Sequence, residues 1–387
     1  MLSSLIKFWA NPVHQRNVLI ILVVYLILMW FVYFPFVFKI DNYYRLDFRK
    51  SDKTAFIRYF DGPFYAGIAK TLYDSHDTYF QNSSIEQQVY YTNHLPLYPL
   101  LIKLVGQVVP IEMGMLLVSQ VCGMIGVLLF YYFLSSLLPL RDSLLLTIVS
   151  MILPQRALLL HNVGASEPLF IVILTLIIIS LRAKRFELAC VLTALAVLTR
   201  STGLFLVPGL WIIWFVYYRW NFKKLLVTLF PVIAYLGLVY YWYQVVPGFH
   251  FFNRTGGFEF IINAPIFNMF FINSGPAEAI GFVSIGVVAG TLTLLKKESQ
   301  VWEKQTAILL ATGASFVLFS FHPDNMRYIY PYLSFLIIYP LRKIFTDKRF
   351  LAGMVFILPA MLMIVWVYLV TNQMPPDQTA NWLNVLR

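Results

Sequence analysis

Long apolar stretches separated by short polar ones organise the chain. Apolar runs cover 18–38 and about 113–138, 143–162, 167–181, 186–199, 203–218, 225–246, 277–295, 305–321, 328–345 and 350–371. Each reads as a helix in or near a membrane, and together they predict eleven spans. The 96–109 stretch is apolar but short. It carries Lys103 and opens on Pro96-Leu97-Tyr98-Pro99, which predicts a helix lying on the membrane surface or dipping into it. Between the first span and this stretch lies the longest polar loop, 39–95. Within it, Asp61-Gly62-Pro63 predicts a short helix over 63–74, because proline is pre-set for the first helical position, with Gly62 as its cap. Asp61 then precedes a helix N-terminus, where free N–H groups and the helix dipole favour an ionised carboxylate.

The pair 186–199 and 203–218 differs from the other runs. Each is shorter than the ~20 residues a span usually needs, and they meet at Arg200-Ser201-Thr202-Gly203. Irregular backbone is not tolerated against lipid, so this break is expected inside protein or a wet cavity, with Arg200 in it.

Composition fixes the class. The chain is 59% hydrophobic and 12% charged, with mean hydropathy +0.72, which makes it an all-α polytopic membrane protein and excludes a soluble domain. It reads as one module over 1–387, with a first outer loop (39–112), central helices (113–246) and C-terminal helices (247–387). A secretory signal is not expected, since the first run is long and no small-residue cleavage site follows. The two cysteines give neither a disulfide framework nor metal spacing. The net charge of +11 is uneven: with the N-terminus inside, the predicted cytoplasmic segments hold 16 of the 29 basic residues and carry the whole excess. The basic balance therefore reports orientation and anionic lipid, not nucleic acid. The C-terminus and the 39–95 loop fall outside.

That orientation gathers His76, His94, His161, His250, His322, Glu167, Arg200 and Arg327 on the outer side. Such convergence suits a polar cavity in one leaflet. Asp61 is a candidate general base, with a helix cap as the plain alternative. Walker, G-x-S-x-G, H-E-x-x-H and C-x-x-C patterns are missing, and Asp74-Ser75-His76-Asp77 reads as a solvated turn. No metal or cofactor is expected.

Four stretches resemble the PIG-V-like (GPI mannosyltransferase II-like) proteins, GT-C glycosyltransferases. They are Phe60-Asp61-Gly62-x-x-Tyr65-x-x-Ile68-Ala69-x-x-x-Tyr73, Leu95-Pro96-Leu97-Tyr98-Pro99-Leu100-Leu101-Ile102, Ser166-Glu167-Pro168-Leu169-Phe170, and Leu198-Thr199-Arg200-Ser201-Thr202-Gly203-Leu204. Arg327-Tyr328-x-x-Pro331 echoes a later one. The family usually has Arg-Trp before the aspartate; Tyr59 and Phe60 stand there, with Arg58 one residue earlier.

The resemblance implies a GT-C fold of about 11 transmembrane helices, with juxtamembrane helices in the first outer loop. It implies inverting transfer of a mannose-like hexose from a polyprenyl-phosphate donor to an extracytoplasmic glycan or lipid acceptor. Asp61 would be catalytic. Arg200, Arg327, His322, Glu167, His94, Tyr65 and Tyr98 would bind substrate, the arginines on the lipid phosphate and Glu167 on a sugar hydroxyl. Rival readings are a lipid-linked-sugar flippase, for which inverted repeats are missing, and a non-catalytic subunit of a glycan-assembly complex.

Overall fold

A computed structural model describes Phe8 and residues 10–40, 42–43, 46–48, 55–59, 61–80, 84–219, 221–250, 275–319 and 325–372. The elements, in chain order, begin with α1 (Pro12–Val37). Asn11 caps it by accepting from the Val13 N–H at 2.9 Å, and Pro12 opens its first turn. A two-residue hairpin follows, Asn42–Tyr43 against Leu46–Asp47. Then come α2 (Gly62–Thr71), α3 (Ile85–Tyr91), α4 (Leu97–Val105), α5 (Ile111–Ser135), α6 (Leu140–Ile152), α7 (Arg156–Leu160), α8 (Glu167–Arg182) and α9 (Phe186–Thr199). After a 3-10 turn at Ser201–Phe205 the chain forms α10 (Leu206–Tyr217), α11 (Phe222–Thr228), α12 (Phe230–Val245), α13 (Gly275–Leu294), α14 (Val301–Phe319) and α15 (Asn325–Leu333). A π-helical segment, Ser334–Ile338, precedes α16 (Arg342–Phe345) and α17 (Lys348–Thr371).

Each of the eleven predicted stretches holds helix among its described residues. Among the described residues, four helical stretches are long and apolar enough to cross a membrane by length and composition: Pro12–Val37, Ile111–Ser135, Phe222–Val245 (α11 and α12 together) and Lys348–Thr371. Shorter apolar helices include Phe186–Thr199, which packs on α8 and α12, and Ser201–Tyr217, which packs on α14. The 143–162 stretch is not one helix. Pro154 lacks an N–H and interrupts the ladder between α6 and α7. Apolar side chains stay exposed on the outer helices, such as Leu19, Leu26 and Trp30 on α1 and Val355 and Phe356 on α17. Such surfaces suit a hydrocarbon solvent.

The main core lies between α5, α8, α9, α10, α14 and α15, with Phe170, Ile177, Leu210 and Leu310 fully buried in it. The juxtamembrane helices share that core. Tyr65, Ala66 and Ala69 of α2 meet Tyr98 and Ile102 of α4 and Met115 of α5. At nine residues α4 is too short to cross a bilayer, and it leaves Leu100 and Leu104 exposed, as expected for the 96–109 stretch.

The helix after Asp61 is shorter than the predicted 63–74. It stops at Thr71 because Leu72 and Tyr73 take left-handed backbone, with φ of 51° and 67°. The Tyr73 hydroxyl donates to the His94 carbonyl at 2.5 Å, which ties this turn to the start of α4.

Candidate functional site

Asp61, His94, Glu167, Arg200 and Arg327 all sit at or beside helix ends. Asp61 immediately precedes α2, His94 lies before α4, Glu167 is the first residue of α8, Arg200 ends α9 in extended conformation, and Arg327 is in the first turn of α15. Tight backbone contact brings two of these ends together. A Cβ on Gly164 would lie 2.8 Å from the Gly62 Cα, so the turn ahead of α8 rests on the turn that carries Asp61. The break at Arg200 is equally close, since a Cβ on Gly203 would lie 2.5 Å from the Ala196 carbonyl oxygen.

Asp61 does not cap its helix. Its side chain makes no capping bond, although it occupies the N-cap position and its backbone carbonyl accepts from the Tyr65 N–H. Instead its Oδ2 accepts from Arg327 Nη1 at 2.6 Å, and its Oδ1 lies 3.5 Å from His94 Nε2. Arg327 also donates through Nε to Glu167 Oε1, and through Nη2 to Glu167 Oε2 at 3.4 Å. The same Glu167 Oε1 accepts a 2.6 Å ion pair from Arg200 Nη1, which also donates to Ser166 Oγ at 3.0 Å. The Arg200 guanidinium lies 5.2 Å from the centre of the Tyr328 ring. Two carboxylates and two guanidiniums thus form one neutral chain, Asp61–Arg327–Glu167–Arg200. Glu167 is fully buried and the arginines nearly so, whereas the Asp61 side chain keeps 13% of its surface.

Aromatic and hydroxyl groups hold this chain in place. His94 stacks on Phe64 with centroids 4.8 Å apart and meets the Tyr65 ring edge-on at 5.3 Å. The Tyr65 hydroxyl is 2.9 Å from Ser166 Oγ. Tyr98 lies one layer deeper. Its hydroxyl bonds Ser119 Oγ at 2.6 Å and the Met115 carbonyl at 3.0 Å, and it accepts from the Ala165 N–H at 3.2 Å, anchoring the turn ahead of Glu167. Two buried nitrogens beside the chain, Arg200 Nε and His94 Nδ1, have no hydrogen-bond partner among the described residues.

Burial pushes the Asp61 carboxyl up. The Arg327 charge and the His94 hydrogen bond together pull it further down, and the net result lies well below the ordinary carboxylate range. Asp61 is therefore ionised at neutral pH.

Of the residues singled out in the sequence, Asp61, Tyr65, His94, Glu167, Arg200 and Arg327 converge. Tyr98 supports them from beneath, and His322 lies outside the described residues. His161 is elsewhere, buried with its Nε2 3.0 Å from the Tyr330 hydroxyl, and His76 and His250 are exposed. The Asp74–Asp77 turn is solvated, with the Asp74 carboxylate accepting from the His76 N–H. Sequence reasoning missed Ser166, Phe64 and Tyr328. Ser166 and Tyr328 lie within the family-like stretches around Glu167 and Arg327, while the signal for Phe64 was its place close to Asp61 in the chain.

The chain is similar in structure to the oligosaccharyltransferase of Archaeoglobus fulgidus, whose crystal structure is a complex with zinc and sulfate. The TM-score is 0.52 at 16% sequence identity. The likeness covers 94% of this chain and 55% of the archaeal one, so the chain spans about half the length of that enzyme. The described chain is thus helical, with a fold like that of this oligosaccharyltransferase. No protein-family model and no curated protein matches the chain.

Proposed function

We propose that this protein is a membrane glycosyltransferase that moves a hexose from a polyprenyl-phosphate donor to the hydroxyl of a glycan or lipid acceptor. The observation that carries this reading is the release of Asp61 from helix capping into a clamp of Arg327 and His94, beside the Glu167–Arg200 pair. The fold likeness to an oligosaccharyltransferase supports the reaction class. The mannose-like sugar, the outward-facing site and the eleven crossings with an inside N-terminus rest on the sequence.

In the proposed step the acceptor oxygen attacks the anomeric carbon, the bond to the phosphate oxygen breaks, and the configuration inverts. The lipid phosphate leaves with the electron pair. Asp61 accepts the acceptor's proton. A carboxylate held so acidic is a weak base, so the proton transfers late, once the attacking oxygen has gained positive character. A phosphate needs no carboxylic acid to protonate it, unlike a sugar alkoxide. Cations suffice, and the spare Arg200 Nε–H is a donor suited to a phosphate oxygen. Glu167 has both oxygens taken by arginines. We therefore assign it to positioning those arginines rather than to a sugar hydroxyl, and Tyr98 to positioning the turn that carries it.

The test is transfer from a polyprenyl-phosphate sugar by purified protein in detergent or bilayers. Arg200→Ala and Arg327→Ala should each lower turnover severely, and the double variant should fall less than the product of the two, because both act on one connected group. Strict additivity would place Arg327 on the acceptor instead. Normal turnover in well-folded Arg200→Ala would remove Arg200 from the site.

A further inference from the structure

The helices that leave this site arrive at an end of opposite character. α8 runs from Glu167 to Arg182, α9 returns to Arg200, α10 runs back to Tyr217, and α11 starts at Phe222. The two turns at the far end carry Arg182, Lys184, Arg185, Arg219, Lys223 and Lys224, with Glu187 beside them. The turns touch: the Phe186 and Tyr218 rings are 4.7 Å apart, and Lys224 Nζ is 3.6 Å from the Tyr218 ring centre.

Next to this basic edge lies an apolar groove of about 540 Å³ between α10 and α11, continuing to the start of α12. Its walls include Pro208, Trp211, Trp214, Phe215, Leu225 and Leu229. One cation stands against the same walls. The Arg219 guanidinium lies 5.5 Å from the Phe215 ring centre, and its Nε donates to the Phe215 carbonyl at 3.3 Å. Lys223 is exposed, and Lys224 directly precedes Leu225. The Trp214 indole N–H donates to the Asn221 carbonyl at 3.0 Å, which fixes the turn over the groove. Within these two turns the acid is Glu187, 3.9 Å from Lys224 Nζ and half exposed, so it screens weakly.

We propose that this groove holds an acyl chain of an anionic phospholipid, with the lipid phosphate held by Arg219, Lys223 and Lys224. A free phosphate or nucleotide would leave the apolar walls empty. The chain of a zwitterionic lipid would fill them equally well, because lipid tails gain little by moving from one apolar surrounding to another. Selectivity therefore comes from the cations, at roughly fivefold in affinity for each basic residue near the headgroup plane. The tryptophans suit the level where chain meets headgroup. The inference is independent of the transferase reading, because its readout is binding.

The experiment uses the full chain in phosphatidylcholine bilayers doped with brominated phosphatidylglycerol or, separately, brominated phosphatidylcholine. Bromine quenches tryptophan fluorescence on contact. At equal low mole fraction the brominated anionic lipid should quench more. That excess should vanish in the triple variant Arg219→Gln/Lys223→Gln/Lys224→Gln and shrink in Trp211→Phe/Trp214→Phe. It should survive in Lys296→Gln/Lys297→Gln, which removes charge elsewhere. Equal quenching by both lipids in the unmodified protein would overturn the proposal. So would an excess that persists without the groove tryptophans, or one lost as readily in the Lys296/Lys297 control.

Discussion

The two charged ends of the bundle handle ions in opposite ways. At one end two acids and two bases are buried, matched and mutually bonded through Asp61, Arg327, Glu167 and Arg200. At the other, the turns at 182–187 and 219–224 carry six bases and one acid, and the Lys224–Glu187 pair is 3.9 Å apart with the Glu187 side chain 53% exposed. In the first setting each partner needs the other, because an unpaired buried charge is very costly. In the second, water and counter-ions can replace any partner. The lesson is that the same residue types serve geometry where water is excluded and field where it is not.

The comparison breaks most sharply at Asp61. Asp61→Asn keeps the shape and removes the charge. It should leave the protein folded in gel filtration while lowering turnover by roughly 10²–10⁴, the usual worth of a general base. Near-normal turnover would put the base elsewhere. Glu167→Ala strips Arg200 of its ion pair and Arg327 of one of two. It should cost about 3–5 kcal/mol, read as a lowered Tm in detergent, with Glu167→Gln less damaging because it keeps one acceptor. A protein as stable as the parent would show that water reaches this site.

Acidity sharpens the contrast further. A depressed carboxylate contributes stability that is present above its unfolded pKa and is lost only as pH falls through the folded one. Arg327 and His94 hold Asp61 low, so the parent protein should keep its Asp61-dependent turnover from pH 7 down through mild acid. In Arg327→Gln burial dominates instead. The residual activity should then acquire an acid limb at higher pH than in the parent, whatever its absolute rate. Profiles of identical shape would mean that Arg327 does not set the Asp61 charge. The smallest effect belongs to the other end: Lys224→Gln should change stability by at most about 0.5 kcal/mol and leave transfer unchanged, as loss of one exposed ion pair usually does. A large loss would show that this end, too, is structurally coupled.

Helices were legible because hydrophobic runs of fixed length leave few alternatives. The break at Arg200 was legible because its flanking runs are too short to span. The end of α2 was not. Leu72 and Tyr73 adopt left-handed backbone in a turn held from afar, by the Tyr73 hydroxyl on the His94 carbonyl and by the Tyr241 hydroxyl on the Leu72 carbonyl. The members of the site were visible as a list of outer-side charges, while their pairing was not. Asp61 and Arg327 are 266 positions apart, and nothing local links them. Glu167 illustrates the limit. A glutamate at the start of an apolar helix suits a sugar hydroxyl as well as a guanidinium, and only burial between two arginines separates the two. Pro154 carried a readable signal for the division of the 143–162 stretch, yet the run of apolar residues around it outweighed that signal.

The Cβ direction of Gly164 runs onto the Cα of Gly62, the one three positions ahead of the acid that steadies both arginines and the other beside the residue proposed as base. The spacing between these two halves of the site thus depends on the hydrogen at Gly164, where any other amino acid would place a carbon 2.8 Å from the Gly62 Cα and closer still to Met115 Sδ. A single methyl at position 164 would act as a shim. It would wedge the Asp61 turn away from the Glu167 turn while leaving every charge in the sequence unaltered. Alignment of the proposed base could accordingly be adjusted, or lost, through bulk alone.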